Sequence, residues 1–424
     1  MTLPRSARRG LSAADIAALL LFCAFAAAGW RAVADAPFLQ KERVTREEAL
    51  SDISEFFRRI ERTHPAPSVT PAQYAALKVY ASSAAEAGLD EFGRLEVREL
   101  ARILYRSAAG LGDSGTKVLW RPPRKWKDPD PRFPPFSLGY AGGKFLLGNA
   151  YPQRLNGGEL LAVGGTPLKE FLRPALELVS GETSAHRAYL FCRDQAAWWD
   201  ISGLFAGNKT VKIKARDKEG KTWSGEVSPV TAGEFRRLTL ADARGGTAFY
   251  PQKKEAVVRP AAMDHSWRTR KAYRGIFNRL KAEGTRRLVL DLRDCPGGDR
   301  RAAEYLLALL EGWAGGGAAP ARAALITGPG SGPAAAWLAA RFRELKGGEL
   351  LGEETGGTAE HFGAARTFKL GASGIRFEVS SRYFPAPGGA AGPVAPDLRP
   401  AAWPPPRGGD GAGFALERLR RKGG

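Results

Sequence analysis

Val289-Leu290-Asp291-Leu292-Arg293-Asp294-Cys295-Pro296-Gly297-Gly298 is the stretch that decides the reading of this chain. An unbroken apolar run ends in Asp-Leu-Arg, turns through Pro-Gly-Gly and leads into a helical pattern. A run of that kind without polar alternation reads as a buried strand. Adjacent glycines let backbone N–H groups face a bound group with no Cβ in the way. Such a turn before a helix start can hold an oxyanion. Taken alone, the stretch reads as a tight strand-to-helix turn.

Working outward, helical and strand patterns alternate. Residues 268–281 read as an amphipathic helix, 287–292 as a strand, 299–313 as a helix, 321–326 as a strand, 334–345 as a helix, and 349–352 as the start of another strand. This alternation predicts an α/β core over 250–400 with largely parallel strands. Upstream, 47–60 places Ala49, Leu50, Ile53, Phe56, Phe57 and Ile60 at helical spacing, and 71–87 and 92–109 resume that pattern, giving a helical segment over 44–116. Between them, 117–249 reads as a β-rich middle region. It has one hairpin over 136–147 around Gly142-Gly143 and a second joining 210–215 to 221–227. Beyond Pro400, residues 401–424 are rich in Pro, Gly and Arg and read as a flexible basic tail.

The N-terminus reads as an address. Arg5, Arg8 and Arg9 precede an apolar run over 16–30, and small residues follow to Ala36. This is the pattern of a secretory signal peptide. Asp15 and Arg31 flank the run, so an uncleaved membrane anchor over 1–36 fits as well. Either way the chain is expected to be exported, in the periplasm or another extracytoplasmic space. Phe22 before Cys23 argues against a lipoprotein site.

The chain has 424 residues, 44% apolar and 25% charged, which is ordinary globular composition. Its formal net charge is +20, but the basic residues are spread along the sequence and no nucleic-acid-binding signature occurs, so no nucleic-acid partner is expected. Cys23, Cys192 and Cys295 match no metal-ligand spacing, and neither metal nor cofactor is expected. Cys192 and Cys295 read as two isolated buried thiols, with one disulfide as the alternative.

Five motifs, in order, resemble those of the tail-specific (C-terminal-processing) serine peptidases, a family that includes the tricorn core and the interphotoreceptor retinoid-binding repeats. Leu111-Gly112-Asp113-Ser114-Gly115-Thr116 is similar to the family's GDSHT turn. Gly158-Glu159-Leu160-Leu161-Ala162-Val163-Gly164-Gly165 is similar to its G-x-x-I-x-x-I-N-G element. The 289–298 stretch is similar to its strand and glycine turn. Leu350-Leu351-Gly352-Glu353-Glu354-Thr355-Gly356-Gly357 is similar to IVGETTGG, and Val394-Ala395-Pro396-Asp397-Leu398 to the closing GV-x-PD-I. The resemblance spans about 47–400 and implies a crotonase-like or Clp-protease-like core, a peptide or protein ligand, and Gly297 and Gly298 as the oxyanion turn.

The same resemblance shows substitutions where chemistry is expected. Gly115 stands at the position of the general base His. Aligning Leu338-Ala339 with the family's nucleophile stretch T-F-S-A-A-E-x-F-A puts Pro333 at the serine position and Ala336 at the glutamate. Gly357 and Thr358 stand where a Ser/Lys dyad carries its lysine, and 388–395 holds no carboxylate. A hydroxyl becomes a nucleophile only with a base in reach and an oxyanion site beside it. The expectation is therefore a pseudo-peptidase that keeps a peptide groove. The alternative is an active serine endopeptidase using Ser331 as nucleophile and His361 as base. A non-enzymatic binder of anionic envelope polymer is the third reading.

Overall fold

The computed structural model describes residues 41–65, 70–120, 133–239, 246–260, 263–315, 322–345, 348–389, 391–399 and 411–421. The 1–36 address segment lies outside them. Among the described residues no helix is long and apolar enough to cross a membrane.

The centre is a five-stranded sheet in the order Gly246–Tyr250, Glu255–Arg259, Arg287–Asp291, Arg322–Thr327, Glu349–Gly352. The first pair is antiparallel and the other three pairings are parallel. The parallel strands are buried on both faces, which is why they read as continuous Leu/Val/Ala runs. Helices Trp267–Ala282, Arg300–Ala314 and Pro333–Arg343 cover one face, with Leu288, Leu290 and Leu325 packed among Phe277, Leu306, Leu310 and Leu338. Crossover helices between parallel strands carry the helix-strand alternation legible in the sequence.

The opposite face corrects the expectation of a flexible tail. Gly411–Arg421 is a helix whose Ala412, Ala415, Leu416 and Leu419 lie on Val257, Val289, Ala324, Ile326 and Leu351. Its arginines reach two buried carboxylates that begin their strands: Arg420 donates to Glu255 at 2.6 and 2.7 Å, and Arg418 to Glu349 at 2.6 Å. Apolar positions at helical spacing are present there, but Gly and Arg among them dilute the pattern.

The N-terminal helices Arg46–Thr63, Pro71–Ala87 and Val97–Ala109 form a second packed unit. Thr45 and Thr70 each close a capping box with Glu48 and Gln73, which fixes where the first two helices begin. This unit is not made by the N-terminal segment alone. Strands Arg366–Lys369 and Arg376–Val379 pair with each other, the second also pairs with Lys117–Val118, and Phe377 and Val379 enter its core. The boundary at 116 and the single core over 250–400 are corrected accordingly: a late hairpin completes the early helices.

The middle region holds a six-stranded sheet with the two expected hairpins, Ser137–Ala141 with Lys144–Gly148 and Val211–Arg216 with Thr222–Val227. It also contains helices Leu168–Leu176, Ser184–Arg193 and Gln195–Ser202. The last two are missing from the strand-rich reading. They are short, they run almost end to end, and their buried positions are shared between neighbouring elements, so no single face dominates. Cys192 and Cys295 are both buried thiols that form no disulfide, so the disulfide alternative does not hold.

Candidate functional site

The 289–298 stretch folds as its composition requires. Strand Arg287–Asp291 delivers the chain to a turn where Gly297 has φ +88° and Gly298 φ +138°, conformations that L side chains rarely adopt. A parallel bridge to Met263 holds the turn: Met263 N–H donates to Gly297 O at 2.9 Å, and Asp299 N–H donates to Met263 O at 2.6 Å. The backbone of Met263 fills the space a Cβ at 298 would need. The Cys295 thiol lies within hydrogen-bond reach of the Gly297 amide, and burial pushes that thiol up to about 11. Among the described residues neither expected oxyanion donor, Gly297 or Gly298, gives its amide to a backbone carbonyl.

Helix Pro333–Arg343 begins directly beside this turn. A Cβ at Gly297 would lie 3.1 Å from both Pro333 N and Ala334 N, and one at Gly357 would overlap the Pro333 ring. Pro333 is the first helical residue, a place that suits a residue with no N–H and a fixed φ. It offers no hydroxyl and no thiol. The amide of Ala334, in the first helical turn, has no carbonyl to serve within its own helix.

Ser331 sits two residues earlier and is fully buried. Its Oγ donates to Leu292 O at 2.8 Å and accepts from Gly328 N–H at 3.1 Å. Both partners are backbone, and neither is a base. The hydroxyl pins the 328–331 loop to the strand that precedes the glycine turn.

The turn at 113–116 is organised by Asp113. Its carboxylate accepts from Gly115 N–H at 2.8 Å, Thr116 Oγ1 at 2.6 Å and His64 Nε2 at 3.2 Å. Burial pushes the Asp113 carboxyl up, but hydrogen bonds from His64 and Thr116 outweigh it and hold the group below its ordinary range. His64 also packs on Phe362, with ring centroids 4.5 Å apart. Gly115 has an ordinary backbone, and the space beyond its Cα is filled by the Ser380 hydroxyl.

Sequence reasoning missed a second buried pair. Glu182 Oε1 accepts from Ser114 N–H at 3.0 Å and Ser114 Oγ at 2.6 Å, while Oε2 meets His186 Nδ1 at 2.7 Å. Burial pushes Glu182 up, and the hydrogen bond and charge of His186 reverse this and hold it below the carboxylate range. Thr183 caps the helix start that carries His186 and also donates to Gly356 O at 2.7 Å. The His186 Cβ lies 3.1 Å from where a Cβ on Gly356 would stand, so His186, Gly356-Gly357, Pro333 and Gly297 form one contiguous wall. The one signal for this pair in the sequence is the i,i+4 spacing of Glu and His at a helix start.

His361 lies in the same region. Its Nδ1 is 3.2 Å from Ala359 O, its ring packs 5.1 Å from that of Phe384, and desolvation lowers its affinity for a proton. Ser331 and His361 are not brought into hydrogen-bond contact; Ser331 is bonded away beneath the loop. Instead His361, His186, Gly115, Gly297, Gly298 and Pro333 all line one cleft of about 1920 Å³. Among the described residues no group of three or more His, Cys, Asp or Glu could hold a metal ion.

No family model matches the sequence, and no curated protein matches it. Solved structures do. Mature CPAF complexed with lactacystin superposes with a TM-score of 0.55 at 12% identity, over 84% of this chain and 94% of that one. Mature CPAF gives 0.53 at 14% identity, over 84% and 92%. The photosystem II D1 C-terminal processing protease is 15% identical over 87% of this chain and 96% of that one, with a TM-score of 0.45. The chain has a tail-specific-protease-like fold. Its Clp-like α/β core is the architecture the five motifs implied.

Proposed function

We propose that this protein is an exported pseudo-peptidase, which holds an extended polypeptide in the cleft at 297–298 and does not cleave it. The observation that carries this reading is Pro333. The helix start beside the glycine turn, where an acyl-transfer enzyme of this fold needs an attacking oxygen, carries a pyrrolidine ring. Two further features support it. Ser380 occupies the space an imidazole at 115 would need, and the nearest serine, Ser331, spends its hydroxyl on two backbone groups. The cleft, about 1920 Å³, has room for an extended peptide, the kind of ligand that grooves take up by strand addition. The basic, apolar N-terminal segment supports export, to the periplasm or an equivalent compartment.

The purified protein is expected to hydrolyse neither casein nor quenched-fluorescent peptides, and to resist labelling by a fluorophosphonate. Ser331→Ala should change neither result. Labelling of the wild type that disappears in Ser331→Ala would overturn the proposal and establish the endopeptidase reading.

A further inference from the structure

We infer that the occupant of this cleft is an acidic polypeptide segment, whose carboxylates are taken by Arg193, Arg236, Arg366 and Arg382. The inference rests on the reading of the cleft as a peptide groove and names the chemistry of what fills it.

The first argument is charge. The cleft lining holds eight Arg and Lys side chains against five Asp and Glu. Four of the cations have acidic partners: Arg98 with Asp200 at 3.1 Å, Lys117 with Glu378 at 3.3 Å, Arg300 with Glu304 at 3.0 Å, and Arg301 with Asp299 at 2.6 Å. Arg193, Arg236, Arg366 and Arg382 form no ion pair among the described residues, and all four are exposed. The lining carboxylates left over are Asp194 and Asp264, and Asp264 already accepts from Ser266 N–H at 3.0 Å and Thr269 Oγ1 at 3.3 Å. His186 and His361 also line the cleft, and a proton on either adds positive charge. Asp113 and Glu182 do not line it; Gly115, Thr116 and Ser114 donate to them from the wall. An entering ligand therefore meets the arginines first, in a concave site that focuses their field.

The second argument is residue type. Charges beside strand edges also deter aggregation, a task that lysine performs as well. Here all four unpaired cations are arginine, whose planar fork matches a carboxylate with two parallel hydrogen bonds.

The third argument is backbone. Strands His361–Gly363 and Arg382–Phe384 pair only with each other, so each leaves one edge without a strand partner among the described residues. Residues of both line the cleft. Lys117–Val118 is likewise an edge strand, paired on one side with Arg376–Val379. Such edges present N–H and C=O groups at the spacing of an extended polypeptide, which other polyanions do not match. Side chains of an added strand alternate in direction, so acids at every second position share one face.

The test uses the full-length protein, isothermal calorimetry and three peptides of equal length, alternating alanine with glutamate, alanine with glutamine, and proline with glutamate. The alanine–glutamate peptide should bind about tenfold more tightly than its glutamine counterpart, the factor one charge-assisted hydrogen bond supplies. Arg366→Gln with Arg382→Gln, and Arg193→Gln with Arg236→Gln, should each reduce that ratio, and the fourfold variant should abolish it. Melting temperatures should stay at the wild-type value, because all four side chains are exposed. Equal wild-type affinity for the glutamate and glutamine peptides overturns the inference and leaves the groove reading standing. Binding of no peptide overturns both. A preference that survives the fourfold substitution overturns the assignment of these arginines. The proline–glutamate peptide carries the same charge but lacks alternate N–H groups, and it should bind more weakly. Equal binding there overturns the extended polypeptide and assigns the cleft to anionic polymers at large.

Discussion

Gly115 has an ordinary backbone conformation, so nothing in its φ demands glycine; what excludes a larger residue is the Ser380 hydroxyl packed against its Cα. Gly115→His should therefore destabilise the protein by about 1–3 kcal/mol through overpacking, read as a lower urea midpoint. Adding Ser380→Gly should recover part of that loss. A single variant that unfolds at the wild-type midpoint would refute the steric account. At this scale the sequence was partly legible. The resemblance located Gly115 and Pro333 because each stands inside a motif. It could not say that Ser331 bonds to Leu292, since that contact spans 39 residues. Nor could it find Glu182 and His186, which lie in no motif and acquire meaning only when Ser114 and Gly356 fold against them.

The helix Gly411–Arg421 carries the largest prediction among the elements. Ending the chain at residue 400 would expose the apolar face of Val257, Val289, Ala324, Ile326 and Leu351 and strip Arg418 and Arg420 from Glu349 and Glu255. The cost should be on the order of 5 kcal/mol from lost burial and unpaired buried carboxylates, comparable with the whole stability of a domain. Loss of soluble protein, or strong binding of a hydrophobic dye, would bear this out; a truncated chain with the wild-type melting temperature would refute it. The central strands and their covering helices were legible because each shows an undiluted period. The tail helix was not, because Gly and Arg interrupt it and its partner face lies about sixty residues upstream at the nearest strand. Hairpin Arg366–Val379 escaped for a related reason: its core is the N-terminal helical unit, so its register makes sense only beside Lys117–Val118.

For the molecule as a whole, acid should be the weak direction. His361 is held neutral by burial, so its folded-state pKa lies below the ordinary value of 6.5. The folded chain then binds fewer protons than the unfolded one, and stability falls as pH drops below about 6.5. Asp113 and Glu182 also titrate below their ordinary values, and their contribution is lost later, as pH falls through their folded-state pKa values. The urea midpoint should decline between pH 7.5 and 5.5 and more steeply below 4. His361→Phe should flatten the upper part alone, and a wild-type profile level from 7.5 to 5.5 would refute the assignment. The late position of Gly411–Arg421 has a different kind of consequence. Every strand it shields is synthesised before it, and a nascent chain emerges from the ribosome over tens of seconds. Between the last strand and that helix the back of the central sheet lacks this cover, an interval of seconds in which an unfinished chain is open to misassembly.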